Sequence, residues 1–90
     1  SAGDVAGARD MSAEGRGEMI AGMVDRLAGR LAEDGDDMDG WIKLARDYVV
    51  LGDEAKARES LASARENFPG DEAAKNQIDE AARMLGLGSS

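Results

Sequence analysis

Apolar residues recur along this chain at three- and four-residue intervals, in four blocks separated by acidic or glycine-bearing turns. Met19, Ile20, Met23, Val24, Leu27 and Leu31 form the first block, which predicts a helix from about residue 14 or 18 to residue 33. The five Met residues could form an adaptable binding surface, but Met19 and Met23 lie on that stripe and are expected to fill the core. Gly22 and Gly29 each cost this helix about 1 kcal/mol relative to Ala; they either permit close packing or weaken an exposed face. Trp41, Leu44, Ala45 and Tyr48, at i, i+3, i+4 and i+7, predict a second helix over 38–51, N-capped by Asp36 or Asp37. Gly52 closes it in a left-handed C-cap, and Asp53 caps a third helix over 54–67 that carries Ala57, Leu61 and Ala64. Pro69 cannot continue that helix, so Phe68-Pro69-Gly70 turns the chain. Asp71 caps a last helix over 72–85, which ends at Gly86. Residues 1–13, small, polar and aperiodic, are expected to be a flexible lead-in, 14–86 the helical domain and 87–90 a flexible tail.

A shift of 34 residues lays the chain on itself. Leu27 falls on Leu61, Ala28 on Ala62, Asp37 on Asp71, Leu44 on Ile78, Leu51 on Leu85 and Gly52 on Gly86. This is the tetratricopeptide (TPR) period, and Trp41, Leu44, Ala45, Tyr48, Ala57, Leu61, Ala64 and Pro69 resemble one complete TPR unit. The expected fold is all-α: a right-handed TPR-like stack of about four helices. One full hairpin is flanked by a preceding helix and a capping helix. Lys75, Asp79 and Ala82 replace Trp41, Ala45 and Tyr48 in the last helix, which suits a terminal helix with no further neighbour to bury against.

Charge and composition narrow the function. Eleven basic against 19 acidic residues give a net charge of −8, which argues against nucleic acid, whose binding needs a cationic footprint. The chain has no His and no Cys, removing disulfides, thiolate chemistry, the usual zinc sites, histidine haem ligation and any His-based triad. No nucleophile–base pair can be assembled, so no catalytic residue, metal or cofactor is expected and the chain is read as non-enzymatic. No apolar run approaches the roughly 20 residues of a membrane span. The opening Ser1-Ala2-Gly3 and the closing Gly88-Ser89-Ser90 read as the ends of a piece of a longer protein. Fewer than three stacked units leave apolar faces poorly covered, so self-association is a further expectation.

Two clusters invite a binding role. Asp34, Asp36, Asp37 and Asp39 with Gly40 suggest a calcium loop, but the register puts Gly35 at the first ligand position and Arg46 at the closing one. Both fail as ligands, leaving helix capping and solvated charge. Ile42, Val49 and Val50 give the second helix another apolar face, centred on Arg46. In stacked TPR hairpins that face lines the peptide groove; alternatively, Ile42 and Val49 pack under the last helix. Asn76, Glu80 and Arg83 hold the corresponding positions of the last helix and would form a polar far wall. The carboxylate clamp of chaperone-binding TPR domains uses Lys and Asn where Ile42 and Arg46 stand, and Ile42 cannot hydrogen-bond a carboxylate. An apolar groove suits the side of an amphipathic helix instead.

Residues 18–31, with Met19-Ile20 and Met23-Val24 followed by Leu27-Ala28 and Leu31, precede an acidic turn and Gly40-Trp41-Ile42-Lys43-Leu44-Ala45-Arg46-Asp47-Tyr48. This stretch resembles the periplasmic TPR region of the c-type cytochrome biogenesis proteins called CcmI or CycH. The resemblance covers about residues 19–69. It implies a chaperone module, periplasmic and part of a membrane-anchored protein, that captures apocytochrome c through its C-terminal amphipathic helix for haem attachment. Other cytochrome maturation components would be further partners. The alternative is a generic TPR interaction scaffold, cytoplasmic, in an unrelated assembly.

Overall fold

The computed structural model describes residues 13–88. Four helices follow in order: α1 (Ala13–Glu33), α2 (Met38–Val50), α3 (Glu54–Asn67) and α4 (Glu72–Met84), with no strand among the described residues. This is the all-α, TPR-like stack that the periodicity predicts. The expected lead-in lies outside the described residues except for Ala13, which already belongs to α1.

The repeat is written in the hydrogen bonds of the helix ends. Asp37 Oδ1 accepts from Gly40 N at 3.0 Å, and 34 residues later Asp71 Oδ1 accepts from Ala74 N at 3.0 Å. Asp53 caps α3 in the same way through Lys56 N, at 3.1 Å. Of the two candidate caps for α2, Asp37 is the one used. At the other ends, Gly52 N bonds to Val49 O and Asp53 N to Tyr48 O, both at 2.9 Å. Gly86 N bonds to Arg83 O and Leu87 N to Ala82 O, at 3.2 and 2.9 Å. Both glycines hold positive φ, +81° and +75°, which closes each helix in a left-handed turn.

One core runs through the stack, with Val24, Leu31, Trp41, Leu44, Ala45, Ala57, Leu61, Ala64, Ile78, Ala82 and Leu87 buried together. The α2–α3 hairpin has the most extensive contact; α1 leans on α2, α4 on α3, and α4 also touches α2. The side of α3 that meets α2 is small: Ala57, Ser60 and Ala64 are all nearly inaccessible. The Ser60 hydroxyl donates to Lys56 O at 2.9 Å, so its burial leaves no polar atom unpaired.

Two expectations are corrected and one open alternative is decided. Met19 and Met23 stand out from α1, 51% and 42% exposed, because Val24 and Leu31 fill the seam with α2. Gly22 and Gly29 have nothing within 4 Å of where a Cβ would lie, so they weaken an open face and permit no packing. Leu87, expected in the tail, is 2% exposed, and Arg58 Nη2 donates to its carbonyl at 3.0 Å. The packed unit therefore extends at least to Leu87.

Candidate partner-binding surface

Within the repeat motif, Trp41, Leu44, Ala45, Ala57, Leu61 and Ala64 are buried, Tyr48 is half-buried with the Lys56 ammonium 5.9 Å from its ring, and Pro69 is exposed. These residues set the spacing of the helices. The candidate binding residues lie on the two first-of-pair helices, α2 and α4, which touch one another.

Ile42 and Val49 are half-buried and pack against the core, Arg46 is exposed, and Val50 is 64% exposed. On α4, Asn76, Glu80 and Arg83 are all exposed, and the Arg83 guanidinium pairs with Glu80 one turn away. The 34-residue register makes Ile42 equivalent to Asn76, Arg46 to Glu80 and Val49 to Arg83. It also makes Val50 equivalent to Met84, a residue the sequence pattern did not single out. Met84 is 78% exposed. Equivalent positions of neighbouring helices thus both hold a large apolar side chain in the open, and the same shift that found the repeat would have found this pair.

Two clefts of the described surface lie elsewhere. One, of about 930 Å³, runs between α3 and α4, with Leu61, Ala82 and Leu87 inside and Arg58, Arg65, Lys75 and Arg83 around it. Of the candidate binding residues only Arg83 reaches it. The cleft has a plain origin: Arg58 and Arg65 stand where Val24 and Leu31 fill the α1–α2 seam one repeat earlier. Arg65 Nη2 instead reaches Asp79 Oδ1 at 2.6 Å, an ion pair across α3 and α4. A second, shallow notch on the α2–α3 hairpin is lined by Trp41, Tyr48, Lys56 and Ser60.

The acidic turn does structural work. Arg30 Nη2 meets Asp37 Oδ2 at 3.1 Å, tying the end of α1 to the start of α2. The bond from Gly40 N, and then Arg30, hold the Asp37 carboxyl below its ordinary value of 3.8. Gly40 is buried at that junction, where a Cβ would lie 2.9 Å from Leu31 Cδ2. Among the described residues no cluster of acidic side chains has the arrangement of a metal site. No helix of the described residues is long and apolar enough to cross a membrane.

The equal lengths of α2 and α4, the matching caps and a shared core define a TPR-like helical repeat segment. Two curated proteins named cytochrome c-type biogenesis protein CycH, from Bradyrhizobium diazoefficiens and Rhizobium meliloti, are each 42% identical to it over 83 residues. The match takes in 92% of this chain and 22% of each relative, so the chain spans about a fifth of their length. No protein-family model matches, and no solved structure does. Over those 83 residues the chain is a homologue of the CycH cytochrome c-type biogenesis proteins.

Proposed function

We propose that this segment is a non-enzymatic binding module of cytochrome c maturation, which receives the C-terminal amphipathic helix of apocytochrome c on the shared face of α2 and α4. The observation that carries the proposal is the Val50/Met84 row, apolar and exposed at equivalent positions of adjacent helices. Ile42 and Val49 extend the apolar side of the row, and Arg46, Asn76, Glu80 and Arg83 supply its polar border. A helix laid across α2 and α4 would bury its apolar stripe on the first set and hydrogen-bond to the second. The relatives' names place them in cytochrome c biogenesis; the resemblance supports a periplasmic setting, a membrane-anchored parent and contact with other maturation components.

Labelled peptides from an apocytochrome c C-terminal helix and from a scrambled control test it by anisotropy titration. Val50→Asp with Met84→Asp changes exposed positions only and should weaken binding by about tenfold or more while the circular dichroism stays native. Equal affinity for the scrambled peptide would leave a generic scaffold. An unchanged affinity in the double variant would remove the site.

A further inference from the structure

A second exposed surface lies on α1, apart from the α2–α4 row. Arg16, Met19, Met23, Arg26 and Arg30 follow one another at intervals of three, four, three and four residues, one line down the helix. All five are exposed. The line runs about 21 Å at 1.5 Å per residue. It carries three of the chain's 11 basic residues, whereas Glu14, Glu18 and Asp25 fall on the opposite side of α1. Arg30 holds Asp37, while Arg16 and Arg26 have no ion-pair partner among the described residues.

The repeat register says what shape this line accepts. Met23, Arg26 and Arg30 correspond to Ala57, Ser60 and Ala64, the side of α3 that seats α2. The other side of α1, with Val24 and Leu31, is already filled by α2. The backbone geometry is thus one that this fold uses to receive a helix, but the side chains differ. Where α3 offers small residues to the large Trp41 and Tyr48, α1 offers thioethers that adapt their shape and guanidiniums that bind carboxylates bidentately. The matching helix must bring small residues at its contact line and acidic ones at its border.

We propose that the Met/Arg line of α1 docks an acidic amphipathic helix from a separate polypeptide, laid along α1 as α2 lies along α3. A protein helix fits better than a membrane surface, because only two methionines on the line would enter the lipid.

The probe is a labelled helical peptide with Ala and Leu on one face and Glu flanking them, titrated with the 90-residue chain. The expected result is saturable binding that weakens as salt rises. Arg16→Glu with Arg26→Glu should lower the affinity about tenfold or more, and Arg16→Gln with Arg26→Gln by less. Val50→Asp with Met84→Asp should leave it unchanged, which separates this surface from the groove proposed for apocytochrome c. Equal binding of a Lys-for-Glu peptide would overturn the proposal, as would indifference to the Arg16/Arg26 changes at native helicity. Loss through Val50/Met84 would move the peptide to the α2–α4 face. Capture by phosphatidylglycerol vesicles without peptide binding would assign the line to lipid. Self-association abolished by the arginine changes, again without peptide binding, would assign it to a second copy.

Discussion

The indole Nε1 of Trp41 donates to the Gly35 carbonyl at 2.8 Å, so the principal aromatic of the core also fastens the turn between α1 and α2. Trp41 is 7% exposed, and its loss combines a cavity with an unpaired carbonyl. Trp41→Ala should cost about 3–5 kcal/mol. Trp41→Phe, which keeps most of the packing, should cost about 1–2 kcal/mol through the lost bond and the smaller ring. Urea unfolding of both variants separates the two parts; a native midpoint for Trp41→Ala would contradict the core described above.

The glycines of α1 and α2 should respond in opposite directions. Gly22→Ala and Gly29→Ala enter open space in a helix interior and should each stabilise by about 0.5–1 kcal/mol. Gly40→Ala sets its Cβ 2.6 Å from Asp37 Oδ2 and 2.9 Å from Leu31 Cδ2. It should destabilise by about 1–3 kcal/mol, as overpacking does. Thermal melts of the three single variants check the signs.

Acid should loosen the α1–α2 junction. Asp37 has a lowered pKa in the fold, so its contribution is present above the ordinary carboxylate value of 3.8 and disappears as pH falls through the lowered one. Asp37→Asn keeps an acceptor for the cap but no charge for Arg30. The melting-temperature gap between the parent chain and this variant should be open at neutral pH and close in strong acid. A gap that persists unchanged to low pH would show that the carboxylate charge contributes nothing there.

Leu87 offers a test at the far end of the stack. Leu87→Ala should cost about 2–4 kcal/mol, as a buried leucine does, whereas the same change at an exposed tail position would be neutral. Arg58→Ala, which releases the Leu87 carbonyl, should act in the same direction by a smaller amount. Denaturant titration of each reads the difference.

The sequence was most legible where a rule is local. Acidic caps and left-handed glycines depend on neighbours a few positions away, their hydrogen bonds follow the expected pattern, and the recurrence at 34 residues repeats them. Legibility failed where the outcome depends on how much of a helix its neighbour covers. The stripe from Met19 to Leu31 spans more of α1 than α2 can cover, so Val24 and Leu31 are buried and the methionines are left outside. Leu87 escaped because a two-residue turn after a helix has no periodicity to betray that it folds back onto α3. Ile42 and Val49 show why a helical wheel could not choose between groove and core: both side chains pack against the core and keep an exposed edge.

Among the described residues, α1 touches α2 and no other helix. A helix held along a single seam can part from the rest while the α2–α3 hairpin stays intact, so its amides should exchange with deuterium through a smaller opening than those of the hairpin. Occupancy of α1 by another helix would then register as time, in slower exchange along that helix, before any change in the structure of the hairpin became visible.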